Sequence, residues 1–183
     1  GPIDGSKRSL SDAMLKRFEP SPDDLKQLVD LYDGELLYID SEVGKVVDKL
    51  KALGIYDKTL VMISSDHGEE LYEHDAYIGH DASVYDTALR VPLIARLPNV
   101  VPAGKLESAL VQHTTIAPTM LELAGVPIPG EFVGKSLAPV FKGEQADFGP
   151  SIAEVRDQML MIRTAQYKYV FNPGSVKLRK LNE

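Results

Sequence analysis

The hexapeptide Ser65-Asp66-His67-Gly68-Glu69-Glu70 follows directly on the apolar run Thr59-Leu60-Val61-Met62-Ile63-Ser64. A near-continuous apolar run of that length predicts a strand covered on both faces, as in a parallel sheet. In open α/β sheets ligands bind just beyond the carboxyl ends of strands, where Asp66 and His67 would stand. Adjacent Asp and His reach one ion only if the backbone turns sharply, and Gly68 permits such a turn. A carboxylate with an imidazole suits Mn or Zn, and also Ca where oxygens from elsewhere fill the shell. Between Thr59 and Leu89 there are seven acids (Asp66, Glu69, Glu70, Glu73, Asp75, Asp81 and Asp86) and no Lys or Arg, so this stretch holds an excess equal to the whole net charge of −7. Three of the four histidines, His67, His74 and His80, lie in the same stretch. By composition alone this could be a solvated acidic loop, or a local capping loop. Its position at the end of a buried strand favours a cation site.

The elements that must position this stretch are legible on both sides of it. Ser21-Pro22-Asp23-Asp24 predicts a helix start, with Ser21 as cap, Pro22 in the first turn and Asp24 closing a capping box. Apolar residues then recur at helical spacing from Leu25 to Leu53, and Gly54 supplies the stop. The apolar stripe reads as core, and Gly34 and Gly44 make a bend or break possible. Val91–Arg96 predicts a second strand, with Pro92 tolerable near its start. A further helix runs from Thr115 to Leu123, ended by Gly125. This alternation predicts an α/β fold, a mostly parallel sheet with flanking helices. Ser151–Val155, Met159–Thr164 and Tyr167–Phe171 add a small C-terminal antiparallel sheet. The Pro- and Gly-rich stretch Gly125–Gly149 is the natural joint, giving a core at 1–125 and a linker with antiparallel subdomain at 126–183.

Composition excludes several classes. The 183 residues carry 20 Lys+Arg against 27 Asp+Glu, which argues against nucleic acid as a partner. The absence of Cys excludes disulfides, thiolate metal sites and a cysteine nucleophile within these residues. No apolar run approaches about 18 residues, so no membrane span is expected. The start, GPIDGSKRS, does not have the pattern of a signal peptide.

The run SSDHGEELYEHDAYIGHDASVYDTALRVPLIARLP resembles the signature half of the sulfatases (arylsulfatase-like), in the alkaline-phosphatase-like superfamily. Agreement continues in order with YDGELLYIDSEVGKVVDKLKALGIYDKTLVMIS before it, and with TTIAPTMLELAGVPIPGEFVGKSLAPVFKG and RTAQYKYVF after it, over roughly residues 20–172. The resemblance implies a partial alkaline-phosphatase-like core in which Asp66 and His67 are metal ligands beside a bound sulfate. Family members often carry Asn where His67 stands; the family metal is calcium, with Mn or Zn the alternatives for an Asp-His pair. His80, in Gly79-His80, falls where the family places a Lys or His that contacts the sulfate and assists the leaving group, so it is the candidate catalytic and substrate-binding residue; the alternative is a solvated loop histidine. His74 is expected to brace the loop, and His113, just before a helix start, to be structural.

The formylglycine nucleophile of the family, made from Cys or Ser in a Cys/Ser-x-Pro-x-Arg motif, has no counterpart in the 183 residues. Nor have the paired Asp residues of the family's first strand, or the basic residues that hold the sulfate. The expectation is therefore the carboxyl-terminal piece of a sulfatase-like hydrolase acting on sulfate esters of small molecules or glycans, inactive as an isolated fragment, with formylglycine outside this segment. Rival expectations are a phosphodiesterase, phosphonate monoester hydrolase or phosphoethanolamine transferase of the same superfamily, and a non-catalytic metal- or partner-binding module. An exposed sheet edge could make the piece self-associate. The compartment stays open between periplasmic or secreted and cytoplasmic.

Overall fold

The computed structural model describes residues 3–74, 77–155, 159–172 and 175–180. Its elements in chain order are α1 (Lys7–Met14), α2 (Pro22–Ala52), β1 (Val61–Ser64), β2 (Glu70–Leu71), β3 (Ile78–Gly79), α3 (Asp86–Leu89), β4 (Leu93–Arg96), α4 (Ile116–Leu123), α5 (Ala138–Phe141), β5 (Ser151–Val155), β6 (Met159–Arg163), β7 (Tyr167–Asn172) and β8 (Ser175–Lys180). Short 3-10 turns lie at Tyr56–Lys58 and His113–Thr115. Two compact units result, Gly1–Asp57 with His67–Asp81, and Lys58–Asp66 with Ala82–Glu183.

In the first unit, α2 begins as its sequence predicts. The Ser21 side chain accepts from the Asp24 N–H, and the Asp24 carboxylate accepts from the Ser21 N–H, with Pro22 in the first turn. Asp24 also accepts from the N–H of Ile3 at 3.3 Å, drawing the chain start onto the helix. Ile3, Ala13, Leu28 and Ile78 form the buried cluster, and Leu10, Met14, Phe18, Leu71 and Tyr72 pack against it. Leu71 and Ile78 are register partners in the antiparallel β2–β3 pair, so this small hairpin is seated on the core by its own apolar pair.

Two expectations about α2 are corrected. The helix runs unbroken for 31 residues through Gly34 and Gly44. Its apolar stripe is also not core: Leu28 is its buried residue, whereas Ile39 is 54% and Val46 61% exposed. At 1.5 Å per residue the helix is about 46 Å long, and the cluster of the first unit covers only its amino-terminal turns.

In the second unit the C-terminal antiparallel sheet stands as read, with order β5-β6-β7-β8 and one strand more than expected. The pairing direction of the first two strands does not. β1 and β4 are antiparallel, with Val61 opposite Arg96 and Ser64 opposite Leu93. An apolar run reports coverage and carries no information on direction. Parallel neighbours need a long crossover, usually a helix, and the one helix described between these strands, α3, has four residues. β4 starts only after Pro92, which has no N–H to give to the ladder; the Pro92 carbonyl instead accepts from the Ser64 hydroxyl at 2.9 Å.

The segment Gly125–Gly149 lies within this unit and is tied to α4. The fully buried Thr119 hydroxyl donates to the Thr115 carbonyl at 2.5 Å and accepts from the Leu137 N–H at 2.8 Å. Gly134 passes so close to Thr114 that an added Cβ would lie 1.8 Å from its carbonyl oxygen. The Gln112 side chain fastens the sheet from the other side, donating to Pro150 O at 3.1 Å and accepting from Ile152 N–H at 3.0 Å.

Candidate functional site

β1 delivers the chain through Ser64 and Ser65 to Asp66, which is exposed. The carbonyl just before Asp66 is held: His113 Nε2 donates to Ser65 O at 2.8 Å, across 48 residues of sequence. The histidine read as structural thus fastens the peptide that leads into the Asp-His pair.

His67, half-buried, donates from Nδ1 to the Gly68 carbonyl at 2.8 Å. Its ring stacks on that of His80, with centroids 3.5 Å apart and planes inclined by 17°. His80 Nδ1 in turn bonds Glu69 Oε2 at 2.9 Å. His67, Glu69 and His80 offer ligand atoms all within 4.8 Å of one another. The β2–β3 hairpin explains this convergence. Glu70 and Gly79 are register partners, so their chain neighbours Glu69 and His80 leave the same end of the hairpin.

Of the residues singled out in the sequence, the structure brings together His67 and His80. Asp66 belongs by its neighbours to the second unit and is not one of the three donors. Glu69 is the member that sequence reasoning missed. In the sequence it is one of seven acids, and its place two residues after His67 in Asp-His-Gly-Glu is the available signal. The hairpin left no trace either, since two-residue strands are too short to show a period.

Two further contacts stiffen this hairpin. Fully buried Glu70 meets His74 Nδ1 at 2.8 Å, consistent with the bracing role expected of His74. Tyr77 donates its hydroxyl to Asp81 Oδ1. Burial pushes the Tyr77 phenol pKa above its ordinary value, and the bond to Asp81 with the negative charges of Asp81 and Glu69 adds to this. Tyr72 takes a φ of 84°, unusual for a bulky side chain, and its N–H donates to Tyr77 O at 2.9 Å.

Two imidazoles and one carboxylate form a borderline donor set that suits Mn or Zn; calcium prefers a shell of oxygens. The three residues therefore fit a divalent cation, with the first two metals matching their chemistry better than the third. In the second unit, Asp86 at the start of α3 receives Lys168 Nζ at 2.6 Å and Arg163 Nη1 at 2.8 Å. Burial would raise its pKa, but the hydrogen bonds and charges of Lys168 and Arg163 outweigh this and hold the carboxyl below its ordinary value.

A family model described as Sulfatase matches residues 6–126. The chain is 34% identical over 149 residues to an N-acetylglucosamine-6-O-sulfatase of Bacteroides thetaiotaomicron, covering 81% of this chain and 25% of that protein. It is 32% identical over 172 residues to arylsulfatase K of Bos taurus, covering 86% of this chain and 31% of that one. Among solved structures, the phosphonate monoester hydrolase SpPMH from Silicibacter pomeroyi superposes with a TM-score of 0.78 at 27% identity, over 89% of this chain and 36% of its own. The chain thus spans between a quarter and a third of the length of the two curated relatives.

Proposed function

Because this chain belongs to the sulfatase family, of alkaline-phosphatase-like fold, we propose that it is the carboxyl-terminal part of a sulfate-ester hydrolase and carries the leaving-group and part of the metal-binding side of its active site. The observation that carries this reading is the stacked His67–His80 pair with Glu69, set in a stretch without Lys or Arg. A sulfate ester is an anion, and the acids of this stretch would repel it unless a cation reversed the local sign. A bound divalent metal supplies that reversal and Lewis acidity toward the sulfate oxygens. Asp66 and His67 are the proposed ligands, with the remaining ligands and the attacking formylglycine coming from other parts of the protein.

His80 is the proposed acid. Glu69 accepts from its Nδ1–H, which orients the ring. Nε2–H is then free to hydrogen-bond, or protonate, the oxygen bridging sulfur and the departing alcohol. The substrate class is a sulfated sugar, a reading supported by similarity to an N-acetylglucosamine-6-O-sulfatase.

A second reading is favoured by the three-donor cluster and the likeness to a phosphonate monoester hydrolase: a cation shared by His67, Glu69 and His80 in a phosphoryl-transferring enzyme. One experiment separates the two. In the complete enzyme, His80→Ala is assayed on aryl sulfates and aryl phosphonates of graded leaving-group pKa. The proposal expects sulfate turnover to fall, most steeply for poor leaving groups. Equal loss across the series would overturn the leaving-group role, and activity confined to phosphonates would favour the second reading.

A further inference from the structure

We infer that Tyr77, clasped to Asp81 across Gly79, is the positioning residue that holds His80 against His67 and Glu69. The inference rests on the reading of His80 as a site residue and adds what fixes it there.

The base of the Tyr77 side chain is anchored on both sides. Its N–H donates to the His74 carbonyl at 3.0 Å, and its carbonyl accepts from the Tyr72 N–H at 2.9 Å. From this anchored backbone the phenol reaches four residues along the chain. Its hydroxyl donates to the Asp81 carboxylate and accepts from the Asp81 N–H at 3.1 Å. Donor and acceptor of one hydroxyl are thus engaged by one residue.

The phenol takes this path because position 79 has no side chain. A Cβ added to Gly79 would lie 2.8 Å from the Tyr77 hydroxyl oxygen and 3.1 Å from Cζ, and Gly79 holds a φ of 132°, which L side chains rarely adopt. His80 therefore sits between two restrained neighbours. Gly79 is paired with Glu70 in the hairpin ladder, and Asp81 is held by its N–H and its carboxylate at once. With both flanking residues pinned, the backbone of His80 has little freedom to swing, and its ring stays stacked on His67 and bonded to Glu69. The exposure of His80, 44% of its side chain, makes such a restraint necessary, because surrounding packing alone would not hold the ring.

The test compares Tyr77→Phe, Asp81→Ala and Asp81→Asn in the full chain. Face-to-face stacking shields imidazole ring protons, so the histidine ring resonances of the metal-free protein report the His67–His80 stack directly by NMR. Tyr77→Phe and Asp81→Ala are expected to move the His80 resonances toward free-imidazole positions while those of His113 stay in place. Asp81→Asn keeps an acceptor oxygen and the N–H, and is expected to retain the wild-type shifts. Titration with Co2+, read by paramagnetic shifts of the same rings, should perturb the His80 ring several-fold less in Tyr77→Phe than in wild type, and to the wild-type extent in Asp81→Asn. Unchanged His80 resonances in both Tyr77→Phe and Asp81→Ala would overturn the inference; Asp81→Ala serves alone if Tyr77→Phe unfolds. If instead Co2+ leaves His67 and His80 unperturbed in the wild type while the stack still depends on Tyr77, the clasp stands and the metal reading fails.

Discussion

Replacing Asp86 by Asn is expected to cost far more stability than replacing the Lys168 that it binds. Arg163 and Lys168 stand directly opposite each other in the β6–β7 ladder. Like charges in that relation repel, and Asp86 lies between them, with one carboxylate oxygen on each at 2.8 and 2.6 Å. The Lys168 side chain is only 9% exposed, whereas that of Asp86 is 42% exposed. Removing one partner of a buried pair costs about 3–5 kcal/mol. Water reaches Asp86 and discounts this, leaving about 2–3 kcal/mol for Asp86→Asn. Lys168→Met removes the buried ammonium and leaves Asp86 with Arg163, for which a change of about 1 kcal/mol or less is expected. For a chain of this size each kcal/mol moves the midpoint by about 2–4 °C. Urea and thermal unfolding followed by far-UV circular dichroism at pH 7 would measure both variants.

The pH dependence supplies a second arm. The folded pKa of Asp86 lies below its ordinary value of 3.8. Its contribution is therefore fully present above that value and is lost as pH falls through the folded pKa. The gap between wild type and Asp86→Asn should be constant from neutral pH down to about pH 5 and should close at lower pH. A Lys168→Met penalty equal to or larger than that of Asp86→Asn would refute the reasoning, as would an acid slope unchanged by Asp86→Asn.

Two glycine sets give predictions of opposite sign. Gly34 and Gly44 sit inside α2 with nothing within 4 Å of an added Cβ, so Gly34→Ala and Gly44→Ala should each stabilise by about 1 kcal/mol in thermal unfolding; destabilisation would mean that this helix face is covered in solution. Gly134→Ala drives a Cβ to 1.8 Å from the Thr114 carbonyl oxygen, and a loss of about 3 kcal/mol is expected as backbone shifts to relieve it; a loss under about 1 kcal/mol would show that the segment relaxes freely.

Local chemistry alone determined much of this protein. Ser21, Pro22 and Asp24 start α2 because a cap is completed within four residues. β5, β6 and β7 were legible because side-chain alternation and intervening turns belong to one short stretch. The concentration of acids and imidazoles after β1, and the order of motifs that resembles the sulfatases, are likewise properties of the chain as written. What required tertiary structure shares one physical feature, since it depends on which segment lies opposite. The apolar run at β1 has the same composition whichever way β4 runs, and only the ladder decides that Val61 faces Arg96. The stripe on α2 shows that a face is apolar, and the reach of the core decides that Leu28 is covered while Ile39 is not. Glu69 joins His80 because a hairpin closes across 11 residues, and Asp86 finds its two cations 77 and 82 residues away. Short-range bonding preferences are encoded residue by residue; the meeting of distant side chains is set by the cooperative folding of everything between them.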